Sequence, residues 1–134
     1  MEENKLMVTD SRYFSREFNT AIIDGPLRIY FADRQESEAL KIYFDIQEIL
    51  AEKGMRLETL SLEKPNLFLM LYPTKQTFKD AFERDDDEIA YGEFGTHLVL
   101  GVNGPYDEST RKRIGQHIEG LFVDGKKFHG MLNR

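Results

Sequence analysis

The sequence predicts an α+β domain with a mostly antiparallel sheet and helices on one face, in the order ββ-α-ββ-α-ββ-α. Three observations point there. Three segments carry apolar residues at spacings of three and four, the repeat of a helix with one buried face. Short alternating or continuously apolar segments stand in pairs between them, as strands do. The breaks fall on turn-forming groups, among them Asp24-Gly25-Pro26, "EKPN" and "NGPYD". Helices separated by pairs of strands suit a sheet built of hairpins.

The first pair is "YFSREFNTAII" and "LRIYFA", joined at Asp24–Pro26, where Gly25 supplies unusual backbone angles and Pro26 fixes its own. The first helix runs from Ser37 to Lys53. Ala39, Ile42, Tyr43, Ile46, Ile49 and Leu50 form its stripe, Ser37 is placed to cap it, and Gly54 is placed to stop it. Leu40 and Phe44, outside the main stripe, are expected to widen the buried face. "MRLETLSL" (55–62) alternates and reads as a strand. "LFLMLY" (67–72) is continuously apolar, as a central strand covered on both faces would be. After Pro73, "TKQTFKDAF" is a short helix with Thr74 as cap and Phe78, Ala81 and Phe82 on one side. "EIAYGEF" and "THLVLGV" form the last strand pair. "ESTRKRIGQHIEGLF" is the last helix, with Ile114, Ile118, Leu121 and Phe122 as its stripe.

At 134 residues the chain has the size of one domain, 1–134, with loose ends expected at 1–12 and 124–134. There are no cysteines, so disulfides, thiolate metal sites and a cysteine nucleophile are excluded. The opening "MEENKLMVTD" lacks the basic-then-apolar pattern of a signal peptide. The longest apolar run, "LFLML", is far short of the roughly 20 residues that cross a bilayer. A soluble, cytoplasmic protein with no membrane contact is the expectation.

Net charge is −6 and unevenly placed. The window Asp80–Glu93 has seven acids and one base, a local −6, while Asp107–Arg134 has four acids and six bases, a local +2. An acidic chain disfavours binding to phosphate backbones, so no nucleic-acid partner is expected. The run Asp85, Asp86, Asp87, Glu88 does not follow the ligand spacing of a calcium loop, and consecutive carboxylates on extended chain point to alternating sides. A solvated loop explains it. "YGEFG" has no lysine and no following helix, so it is not a phosphate cradle. None of His97, His117 and His129 is spaced as a helical zinc pair. No metal, no cofactor and no catalytic residue can therefore be assigned. Residues that a fold could gather into a pocket are Tyr91, Glu93, His97 and His117, and Arg111, Lys112 and Arg113 on the last helix form a basic patch.

Taken together, "LFLMLYPTKQTFKDAF", "YGEFGTHLVLGV" and the helix that follows resemble in layout the peptidase MA-like domains of gluzincin-type metallopeptidases, over about Leu27 to Phe122. The resemblance implies a helix bearing His-Glu-x-x-His, whose histidines hold zinc and whose glutamate activates water. Here that helix reads "QHIEGLF". His117 is present, Ile118 stands in place of the glutamate, and Leu121 in place of the second histidine. The resemblance thus implies a domain that has lost the zinc chemistry.

The sequence points first to a small non-catalytic binding or regulatory module making protein–protein contacts. The contact residues would be Asp85, Asp86, Asp87, Glu88, Arg111, Lys112 and Arg113. The alternative is an enzyme, a degenerate metallopeptidase-like domain or another hydrolase, with its site near Tyr91, Glu93, His97 and His117. A third reading is a structural subunit that dimerises through the face of helix 37–53.

Overall fold

A computed structural model describes residues 11–25, 27–52, 54, 67–83, 89–94, 97–103 and 105–122; the side chains of 93, 94, 97 and 119–122 fall outside that description. The elements in chain order are β1 (Thr20–Asp24), β2 (Leu27–Phe31), α1 (Glu36–Glu52), β3 (Leu67–Tyr72), α2 (Lys75–Phe82), β4 (Ile89–Phe94), β5 (His97–Asn103) and α3 (Glu108–Phe122). The five strands make one sheet in the order β1-β2-β3-β5-β4.

β1 and β2 form the expected hairpin, with Gly25 at φ +57° in the turn. The sheet as a whole is mixed, which corrects the mostly antiparallel expectation. β2, β3 and β5 run parallel in the middle, and only the outer strands β1 and β4 are antiparallel to their neighbours. The reason lies in the connections. A 17-residue helix separates β2 from β3, and a helix plus β4 separates β3 from β5. Connections of that length return the chain to the end where the previous strand began. The described order is ββ-α-β-α-ββ-α, and the strand expected at 55–62 lies outside the described residues.

The helices do not share one face, a second correction. All six residues of β3 are buried. Leu67, Leu69 and Leu71 meet Ala39, Ile42, Ile46 and Leu50 of α1 and Ile114 and Ile118 of α3. Phe68, Met70 and Tyr72 meet Phe78 and Ala81 of α2, together with Phe18 and, at its margin, Tyr13, Phe14 and Phe82. A strand with no polar side needs cover on both faces, so one helix must lie opposite the other two.

The segment read as a longer first strand is mostly something else. Ser11 Oγ accepts from Tyr13 N–H at 3.2 Å and Ser15 Oγ accepts from Glu17 N–H at 3.1 Å. These local turns keep residues 11–18 out of the sheet. The segment lies over α2 and β3, with Arg12 Nε donating to Ala81 O at 2.8 Å and Tyr72 Oη donating to Tyr13 O at 2.6 Å.

The helix ends follow their local chemistry. Thr74 and Thr77 cap α2 reciprocally: Thr77 N–H donates to Thr74 Oγ1 at 3.1 Å and Thr74 N–H to Thr77 Oγ1 at 3.2 Å. Asp107 Oδ1 accepts from Thr110 N–H and Oγ1, both at 3.0 Å, and starts α3; these bonds hold its carboxyl below the usual range. Gly54, at φ +68°, ends α1 as expected. Ser37 does not cap α1. A 3-10 turn, Asp33–Gln35, leads in, and Gln35 Oε1 accepts from Ala32 N–H at 3.2 Å.

Gly101 of β5 admits the α2 side of the core. A Cβ there would lie 3.0 Å from the Tyr72 ring and closer still to Phe82. Gly101→Ala should therefore destabilise the protein by about 1–3 kcal/mol through overpacking. Denaturant unfolding of Gly101→Ala with and without Phe82→Leu checks this, because the smaller side chain should recover part of the loss.

Candidate functional site

Two of the four residues expected to share a pocket come together. β4 pairs with β5 in a register that sets Tyr91 against Leu100, and Ile89, two residues before Tyr91, joins the α1/α3 side of the core. α3 lies on that side, and His117 precedes its buried Ile118. The Tyr91 and His117 rings stack, with centroids 6.5 Å apart and planes 6° from parallel. Tyr91 is 37% exposed, so the pair sits at the surface. Burial, and secondarily the Arg113 charge, hold the His117 pKa below its ordinary 6.5. At neutral pH it is a neutral imidazole, able to donate from one nitrogen and accept at the other. Glu93 and His97 are placed by backbone alone, paired with Leu98 and Phe94 respectively. Among the described residues no group of three or more His, Asp or Glu is arranged to hold a metal ion.

Of the residues expected to contact a partner, those on α3 are described. Asp85, Asp86, Asp87 and Glu88 lie outside the described residues. Arg111 is held within the chain: its guanidinium lies 2.9 Å from Glu48 Oε1 and 3.4 Å from Asp45 Oδ2, both on α1, and these carboxylates raise its pKa. Lys112 is exposed, and Arg113 is half-buried one turn before His117.

Arg111 belongs to a polar tie between α3 and α1 centred on Asp45. Tyr106 Oη donates to Asp45 Oδ2 at 2.6 Å, Lys41 Nζ lies 3.4 Å away, and Tyr106 N–H donates to Glu38 at 3.3 Å. Burial first, and then the bond to Asp45, push the Tyr106 phenol strongly upward. No spacing in the sequence signals this tie, because its members are 61 and 66 residues apart on separate elements.

Sequence reasoning also missed the surface where residues 11–19 pass the carboxyl ends of β2 and β3, although Ser11-x-Tyr13 and Ser15-x-Glu17 carry a turn signal. A crevice of about 220 Å³ lies beside Tyr13, Tyr72, Thr77 and Asp80. A broad depression of about 500 Å³ lies between Arg16 and Arg34. Ligands in open α/β sheets favour this end. Here Arg12, Arg16 and Arg34 alternate with Glu17, Asp33 and Asp80, so the surface selects no sign of charge.

Other large apolar side chains are exposed elsewhere among the described residues, and Leu40 and Phe44 do not widen the buried face of α1 as expected, because they lie on its solvent side. Phe44 is 61% exposed and Leu40, one turn before it, 39% exposed, on the outer side of α1. On β1, Ile23 is 63% exposed. Asp24 joins these two elements: its Oδ2 accepts from Tyr43 Oη at 2.6 Å and from Gln47 Nε2 at 3.3 Å, and the bond to Asp24 leads the rise in the Tyr43 pKa.

Compared with known proteins, the chain matches no family model, no curated protein and no solved structure.

Two outcomes are expected. Asp45→Ala strips Tyr106 and Arg111 of their shared acceptor and should cost about 2 kcal/mol in urea unfolding. His117, with a folded pKa below its unfolded value, adds stability that is complete above about 6.5 and is lost as the pH falls toward the folded pKa. The stability of wild type relative to His117→Gln should therefore decline between pH 7.5 and pH 5. A difference independent of pH would show that His117 titrates normally.

Proposed function

We propose that this protein is a binding module that acts by protein–protein contact and has no chemistry of its own, and that the outer face of α1 is its contact surface. One observation carries the reading. α1 buries Ala39, Ile42, Ile46, Ile49 and Leu50 against the sheet yet holds Leu40 and Phe44 out to solvent. An exposed aromatic beside an aliphatic on a rigid helix is the kind of anchor that dominates protein interfaces. In this reading the charges of Lys112 and of the acidic run 85–88 bear on partner choice and encounter rate more than on affinity. A cysteine-free chain suits a reducing compartment such as the cytoplasm. Among the described residues no helix is long and apolar enough to cross a membrane.

The stacking of Tyr91 on His117 favours a second reading, an enzyme with its site between β4 and α3. The likeness in layout to gluzincin-type domains goes with it, since His117 occupies the first histidine position of their motif while Ile118 and Leu121 replace its other two residues. Hydrolytic turnover abolished by His117→Gln, with unchanged melting temperature, would favour this reading over the first.

The first reading is tested with Leu40→Ser/Phe44→Ser. Both side chains are exposed, so the variant should keep the wild-type melting temperature. It should lose at least about tenfold in affinity for a purified partner first captured by the wild type. Equal retention of every captured protein by variant and wild type would sink the proposal.

A further inference from the structure

The α1 surface lies beside β1, an outer strand among the described residues, and the two together fit one kind of partner. Among the described residues β1 is paired on one side only. Outer strands that must stay single usually carry lysine, proline or a bulge. β1 reads Thr-Ala-Ile-Ile-Asp and has neither lysine nor proline. The edge has apolar flanks on both sides. Ile23 pairs with Arg28, whose guanidinium lies over Phe68 on the α2 side, so Ile23 belongs to that side. Phe44 and Leu40 stand on the α1 side. The other outer strand differs, because its exposed aromatic, Tyr91, is already stacked on His117 of the same chain.

Building on the reading of α1 as a contact surface, we propose that its partner is a second copy of this chain. β1 pairs with β1 of the other copy, antiparallel, about a two-fold axis normal to the sheet and passing near Ile22, so that the two sheets become one.

The sequence of β1 is self-complementary in that register. Ile23 faces Ala21 of the other copy, large against small. Asp24 faces Thr20, a carboxylate against a hydroxyl, and the two Asp24 side chains are kept apart. Registers centred nearer Asp24 would oppose like charges, which is unfavourable.

The helices agree with this. α1 packs on β2, so the two copies of α1 would be separated by three strand spacings, about 14 Å. Packed helices ordinarily lie about 8–10 Å apart. Small side chains would leave that gap open, whereas Leu40 and Phe44 from both sides can fill it. Asp24 holds β1 level with the middle of Tyr43–Gln47. Ile22 is two strand residues away, about 7 Å or four to five helix residues, which sets the axis near Leu40.

The test is sedimentation of the full chain from about 1 μM to about 300 μM, with hydrogen exchange at both ends of the series. The expected result is a species of twice the 15.7 kDa chain mass, with β1 amides gaining protection as concentration rises and β4 amides unchanged. Ile23→Lys and Phe44→Asp should each raise the dissociation constant about tenfold or more, at unchanged melting temperature. A chain that stays monomeric throughout overturns the proposal, and so does a dimer whose β1 amides gain no protection. A monomer that still loses a different purified partner on Leu40→Ser/Phe44→Ser overturns self-pairing and leaves the contact-surface reading intact.

Discussion

β3 has no polar side, and most of the architecture follows from that. Its six residues are buried, with parallel neighbours on both edges and apolar cover on both faces. Each large side chain buried there contributes about 1.5–3 kcal/mol, so leaving either face wet would forfeit several kcal/mol. α1 and α3 cover one face. The other face is wider than the eight-residue α2 can cover, and residues 11–18 complete it with Tyr13, Phe14 and Phe18. Close approach on that side depends on Gly92 and Gly101, where a Cβ would collide with Tyr13 and with Phe82 and Tyr72 respectively.

α1 carries more apolar residues than it buries, since Leu40 and Phe44 stay exposed. Its inner face belongs to the core, and its position is held by polar contacts on both flanks: Tyr43 and Gln47 to Asp24 of β1, and Asp45 to Tyr106 and Arg111. Polar ties of this kind fix a helix without covering its apolar surplus. Leu40 and Phe44 remain exposed on α1, on the flank that faces β1, an outer strand among the described residues.

The histidine beside Tyr91 has a different character. Partial burial keeps His117 neutral over a wider pH range than usual, and a parallel ring shields one of its faces. The stacked pair stands where α3 meets β4. The same pair becomes chemical only if another group aligns one of its nitrogens.

Much of the fold was legible residue by residue. Six apolar residues in a row named the central strand, Thr74 marked the start of α2, Gly54 marked the end of α1, and Asp24-Gly25 marked the hairpin turn. Helical spacing also set Leu40 and Phe44 off the main stripe of α1, but not that they would stay exposed where a wider buried face was expected. These are local properties, set by the backbone preferences of a few neighbouring residues. The parallel direction of β2, β3 and β5, the placing of α2 opposite α1 and α3, and the meeting of Tyr91 with His117 were not local. Nothing in "LFLMLY" says which face a given helix will take, because both faces are equally apolar. Nor does any spacing announce that Arg111 closes on Asp45 and Glu48. Such choices are made by the whole set of surfaces competing for cover, and they exist only once the chain is packed.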